Sequence, residues 1–308
     1  MKELFLALVM LVAGFVMLVK GADWFVEGSA GIATKFKIPQ LVIGLTIVAM
    51  GTSAPEAAVS ISAALKGNAG ITIGNVVGSN ILNILIILGL SSLFTVLKVA
   101  KSTVKVEIPF MCAITILLFG LGLDGSIGFI DGVIFWVLFI GFLLYLLNMA
   151  KKNPVEEDVD EISIGKALIL TIIGLVLIVF GSDIAVDGAT SLARILGLSE
   201  RFIGLTIVAL GTSLPELFTS VSAARKGNAD IAIGNIVGSN IFNILFVIGT
   251  SSMIITVPFV SGFLIDTAVA LLAGMILWIC VRKYELNKYH GLLLLACYAG
   301  YFTYLSLI

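Results

Sequence analysis

The feature that most constrains this chain is a repeat. GTSAPE at Gly51–Glu56 returns 160 residues later as GTSLPE at Gly211–Glu216, and about 35 of the 50 residues from Ile43 to Ser92 are identical to those from Ile203 to Ser252. The chain is a duplicated unit. In each copy the motif interrupts a hydrophobic stretch with Gly, Pro and small hydroxyl residues, then adds a carboxylate. Inside a lipid bilayer such breaks survive only where protein surrounds them, and a carboxylate placed there is expensive and functional.

Composition says that a bilayer is the environment. With 59% hydrophobic and 12% charged residues and a mean hydropathy of +1.17, the sequence reads as an all-α polytopic membrane protein. A net charge of -1 argues against a nucleic-acid partner. Cys112, Cys280 and Cys297 stand singly, without the spacing of a zinc site or a disulfide framework. The lone His290 follows Lys288 near a helix end and reads as interfacial. No nucleophile, base and orienting group occur together, so no enzyme is expected, and no cofactor or obligatory protein partner is implied.

The apolar run after Lys2 resembles a signal peptide, but the repeat includes it. Leu4–Val19 aligns with Ile164–Val179, and GADWFVEG at Gly21–Gly28 with GSDIAVDG at Gly181–Gly188, so this run is a first membrane span. Runs of about 20 apolar residues fall near 4–34, 40–66, 70–95, 104–122 and 127–150, then near 163–193, 200–225, 230–255, 260–282 and 289–307. Each unit therefore has five helices. An odd number sends the second unit into the membrane from the other side, which predicts ten transmembrane helices in two inverted five-helix repeats, the architecture of transporters. Residues 1–308 form one transmembrane domain: repeat one over 1–150, a linker over 151–162 and repeat two over 163–308.

The linker, KKNPVEEDVDE from Lys151 to Glu161, is the only markedly polar connection and reads as solvated. Basic residues in short loops orient the chain. With the N-terminus outside, thirteen lie inside, namely Lys35, Lys37, Lys98, Lys101, Lys105, Lys151, Lys152, Lys166, Arg225, Lys226, Arg282, Lys283 and Lys288. Lys2, Lys66, Arg194 and Arg201 lie outside, and Lys20 falls within the first span. Both termini are expected outside the cell membrane and the linker in the cytoplasm.

The chemistry centres on the breaks. Pro55 and Pro215 lack an amide hydrogen and clash with the preceding turn, which should free carbonyls around Ala49–Thr52 and Ala209–Thr212. Thr52, Ser53, Thr212 and Ser213 add hydroxyls, and Glu56 and Glu216 add one negative charge each. Two facing breaks would form an all-oxygen cage for sodium, calcium or magnesium rather than zinc or copper. The next span in each half carries GNVVGSNILN (Gly74–Asn83) or GNIVGSNIFN (Gly234–Asn243), with Asn75, Ser79 and Asn83, and Asn235, Ser239 and Asn243, on one helical face. Ser79, Asn83, Ser239 and Asn243 are read as ion contacts, and Asn80 and Asn240 as helix-packing residues. The GxxxG spacings Gly74–Gly78 and Gly234–Gly238 should let helices approach closely; with no strand before them and no Lys after, they make no phosphate loop. Asp23 and Asp183 match at the same offset, either lining an ion's route or sitting at solvated helix ends.

In these residues the sequence resembles the sodium/calcium exchanger family of the cation/calcium antiporter superfamily, over essentially its whole length and close in size to compact archaeal members. The resemblance implies ion ligands at Thr52, Glu56, Ser79 and Asn83 and at Thr212, Glu216, Ser239 and Asn243, joined by the carbonyls of Ala49 and Ala209. It also implies alternating access, with the first and sixth helices sliding across the remainder. Members commonly have Asp at the position of Asn243, where this chain has Asn in both halves. Two carboxylates give the site a charge of minus two, so one calcium or two sodium ions neutralise it and a third sodium leaves plus one. The expected function is exchange of calcium for sodium. Proton-coupled or potassium-dependent calcium exchange is the alternative, and a passive cation channel a more distant one.

Overall fold

The computed structural model describes residues 2–67, 69–152, 162–197 and 211–307. Ala209, most of the acidic linker and the part of the seventh expected span before Gly211 lie outside the described residues. In the first half α1 (Lys2–Lys35) precedes α2 (Gln40–Thr52) and α3 (Ala54–Leu65), followed by α4 (Ala69–Phe94), α5 (Thr103–Asp124) and α6 (Phe129–Lys152). The second half has α7 (Ile164–Ile195), α8 (Leu214–Arg225), α9 (Ala229–Ile254), α10 (Ser261–Lys283) and α11 (Lys288–Leu307). Among the described residues seven helices are long and apolar enough to cross a membrane, or eight when α2 and α3 count as one broken span. α8 and α11 occupy the places expected for the seventh and tenth spans.

The breaks fall where the prolines place them. Ser53 leaves helical geometry at φ −84°, ψ 6°, the chain bends by 50° and α3 restarts with Pro55 in its first turn. Ser213, at φ −92°, ψ 3°, likewise lies outside helical geometry, and α8 starts after it with Pro215 in its first turn. One expectation needs correction: the Ala49 carbonyl is not freed. Pro55 removes the bond to Gly51, four residues back, whereas the Ser53 amide still donates to the Ala49 carbonyl at 3.0 Å.

Burial identifies the centre. The most apolar windows of α4 and α9 are 78% and 94% buried within the protein, against 22–44% for the other candidate spans. Exposed Phe5, Ile130, Val137, Leu144 and Ile172 on α1, α6 and α7 make an apolar outer surface suited to lipid. Single π-helical turns, Asn83–Leu88 in α4 and Asn243–Ile248 in α9, begin at the paired asparagines. The GxxxG expectation holds at Gly238. A Cβ there would stand 2.8 Å from the Leu45 Cα, so α9 needs glycine to meet α2. The repeat mates of its partners Leu45 and Ala49, at 205 and 209, lie outside the described residues, so Gly78 is not tested.

α1 and α7 also meet backbone to backbone. A Cβ on Gly14 would stand 2.5 Å from the Ala185 amide nitrogen, and one on Gly28 2.5 Å from that of Thr171, so the partner number falls as the α1 number rises. The two are antiparallel. Two ladders absent from the sequence reading tie the halves together at their loops: β1 (Leu97–Lys98) pairs with β4 (Glu285–Leu286), and β2 (Ser126–Ile127) with β3 (Val257–Pro258). At two residues per strand they carry no readable periodicity.

Candidate ion site between the two broken helices

The two breaks face each other across the protein centre. The Ser53 hydroxyl, at the first break, donates to Glu216 Oε1, beyond the second, at 2.8 Å. Glu56 lies near enough to Glu216 for their charges to interact. Both carboxylates are 1% exposed. Neither oxygen of Glu56 nor Oε2 of Glu216 has a hydrogen-bond partner, although the Ser79 hydroxyl stands beside Glu56 without meeting hydrogen-bond geometry. Buried carboxylate oxygens without donors are costly in an apolar interior, and a cation is what relieves that cost.

The amides supply further oxygens, and the network fixes which way they point. The Asn240 side chain donates through Nδ2 to the Asn80 carbonyl at 3.2 Å, so its Oδ1 is the atom that accepts from Asn83 Nδ2 at 2.9 Å. Reciprocally, Asn80 donates to the Asn240 carbonyl at 3.2 Å and accepts from Asn243 Nδ2 at 3.1 Å. Because a backbone carbonyl can only accept, neither outer amide can flip without losing a bond. Oδ1 of Asn83 and of Asn243 are thereby left buried and unpartnered. Asn80 and Asn240 pack helices as expected, and they also fix which way the Asn83 and Asn243 amides point.

Other expected members are placed unevenly. Thr52 is fully buried, its single hydroxyl proton set between the Val48 carbonyl at 3.1 Å and Asn235 Oδ1 at 3.0 Å. Ser239 donates to the Ala49 carbonyl at 3.3 Å, which places that carbonyl, already bonded by the Ser53 amide, next to the Ser239 hydroxyl. Ser213 is buried with no partner for its hydroxyl, and Thr212 is only half-buried.

Two residues absent from the expected ligand set matter. Asn75 Nδ2 bonds the Glu56 carbonyl at 3.3 Å and Ser60 Oγ at 2.9 Å, and Asn235 Nδ2 bonds the Glu216 carbonyl at 3.4 Å and Ser220 Oγ at 2.9 Å. Each asparagine pins the turn carrying its glutamate; the identity of the Asn–Ser pair at offset 160 was the signal for it. His290 accepts from the Asn287 amide at the start of α11. Among the described residues no three His, Cys, Asp or Glu side chains converge, so two carboxylates with hydroxyl and amide oxygens form the donor set. That set is hard and suits group I and II cations.

Buried carboxylate, hydroxyl and amide oxygens between the break at Ser53 and the start of α8, inside a multi-span helical protein, make a candidate cation site of the kind a membrane carrier or channel needs. The chain matches the family model described as sodium/calcium exchanger protein over residues 6–148 and 166–307, and it belongs to that family. It is 36% identical to the putative antiporter CaxA of Alkalimonas amylolytica over 96% of this chain and 97% of that protein. It is 31% identical to the sodium/calcium exchanger MaX1 of Methanosarcina acetivorans over 97% and 98%. The solved structure of the sodium-calcium exchanger NCX_Mj, soaked with zero Na+ and Ca2+, superposes with a TM-score of 0.87 at 34% identity, covering 98% of this chain and 99% of that one.

Proposed function

We propose that this chain exchanges calcium for sodium across the membrane by alternating access, with both ions using the cage between the two breaks. The observation that carries this reading is the pair of buried carboxylates, Glu56 and Glu216, whose unpartnered oxygens call for cationic charge. The proposed ligands are Glu56, Glu216, the amide oxygens of Asn83 and Asn243, the hydroxyls of Thr52, Ser53, Ser79, Thr212, Ser213 and Ser239, and the Ala49 carbonyl. Ala209 joins them by repeat symmetry from outside the described residues. The ions are substrates, and a single chain with no cofactor suffices.

Ten transmembrane helices in two inverted five-helix repeats are part of the proposal. The antiparallel packing of α1 on α7, equivalent spans of the two repeats, supports it, as do the reciprocal Asn80–Asn240 bonds. Inverted repeats supply two mirror-related states around one site, which favours a carrier over a channel. Both termini lie outside and the linker inside. Single cysteines near Lys66 and Asp124 should label from outside, and those near Lys35 and in the linker only after permeabilisation, once Cys112, Cys280 and Cys297 are replaced.

Because Asn83 and Asn243 are both neutral, coupling to protons or potassium is the second reading. Calcium uptake into sealed vesicles, driven separately by sodium, proton or potassium gradients, distinguishes them. Sodium should drive uptake. Uptake down calcium's own gradient, with the potential clamped and no counter-ion present, would instead establish a channel.

A further inference from the structure

Asp23 is bonded in this structure and its repeat mate Asp183 is not. The Ser222 hydroxyl donates to Asp23 Oδ1 at 2.6 Å, and Lys226 Nζ donates to the Asp23 carbonyl at 2.5 Å, with Oδ1 at 3.9 Å. These contacts join α1 to the far end of α8. Shifting each residue by 160 gives Asp183, Ser62 and Lys66, so the second set repeats the first residue for residue, although their neighbours Leu65 and Arg225 differ. Asp183 is exposed, and no described residue bonds its side chain or those of Ser62 and Lys66.

Burial at the site follows the same division. On the side of Asp23, Thr52 and Asn235 are sealed at 0% exposure. On the side of Asp183, Thr212 and Asn75 are partly open. The neighbouring Ser182 reaches the Gly211 carbonyl at 2.7 Å, which places this part of α7 beside the second break. The backbone contacts at Gly14 and Gly28 leave α1 and α7 no room to slide against each other, so the pair moves as one body.

Resting on the alternating-access reading, we propose that Asp23–Ser222–Lys226 and Asp183–Ser62–Lys66 are two mutually exclusive latches, one for each access state, and that this structure holds the first closed. A shift of the α1–α7 pair that brings Asp183 onto Ser62 and Lys66 draws Asp23 off Ser222 and Lys226. The six residues are positioning residues. They touch no ion, and they set how the two access states are populated.

The test uses a cysteine-free background carrying either Asp23→Cys with Ser222→Cys or Asp183→Cys with Ser62→Cys, treated in membranes with a short thiol cross-linker. Both pairs should cross-link, each stopping sodium-driven calcium uptake, while the mismatched pair Asp23→Cys with Ser62→Cys should not. Failure of the Asp183–Ser62 pair to cross-link in protein that exchanges calcium would overturn the latch and leave alternating access standing. Calcium flux without a counter-ion would overturn the transport reading itself. Should the cysteine pairs not fold, Lys226→Met and Lys66→Met give an independent readout. They should move the half-saturating calcium concentration on a given side roughly fivefold in opposite directions; shifts in the same direction, or none, would refute the proposal.

Discussion

The two breaks are near-copies in sequence and unlike in surroundings. At the first, Thr52 and Ser53 are fully buried and bonded across to the second repeat, through Asn235 and Glu216. At the second, Thr212 is half-buried, the Ser213 hydroxyl lacks a partner, and Glu56, the counterpart of Glu216, accepts no hydrogen bond. Residue identity does not account for this, because the hydroxyls, glutamates and asparagines involved are the same in both halves. The difference is conformational. A sequence able to support either environment in either half has two arrangements of similar construction, and interchanging them would move the opening from one side of the site to the other.

The largest expected effect tests what the breaks share. Glu56→Gln and Glu216→Gln should each abolish calcium exchange, since a divalent ion left with one carboxylate loses on the order of 3–5 kcal/mol, more than a hundredfold in affinity. Ion-free thermal stability in detergent should hold or rise, because a buried charge has been removed. Near-normal uptake in either variant would take that glutamate out of the site.

Next come Asn80 and Asn240. Replacing either with Ala frees the amide it orients, and calcium affinity should fall by about tenfold in both variants, as when groups that orient metal ligands are lost. Calorimetric titration reads the effect, and unchanged affinity would leave the two asparagines a packing role alone.

The smallest effect separates the breaks. Thr52→Ala removes the donor to Asn235 Oδ1 in a sealed environment and should lower stability by about 1–3 kcal/mol. Thr212→Ala, at a half-buried position, should change it by less than about 0.5 kcal/mol. Thermal unfolding with ions absent measures both, and equal losses would mean that the asymmetry is not a property of this state.

Much of this was legible beforehand. The 160-residue offset, the proline breaks, the glutamates after them and the apolar spans are local patterns, and among the described residues the breaks, the glutamates and seven or eight of the spans fall where they were expected. What was not legible depends on partners far apart in the chain. Which asparagine orients and which presents a free oxygen depends on bonds spanning 157–163 residues. The π-helical turns at Asn83 and Asn243 leave no periodicity of their own, and the Ala49 carbonyl keeps its helical bond because the bond that proline removes is the one to Gly51, two residues further on. The inequality of the two breaks could not be read at all, since identical residues cannot announce different conformations.

The central claim is that one cage serves both ions, and equilibrium calcium binding to the purified protein, titrated with sodium, tests it most directly. Two carboxylates hold one calcium or at least two sodium ions, so sodium should displace calcium competitively with a Hill coefficient approaching two or more, and the double variant Glu56→Gln with Glu216→Gln should bind neither ion. Calcium binding that is indifferent to sodium, or that survives in the double variant, would contradict the account.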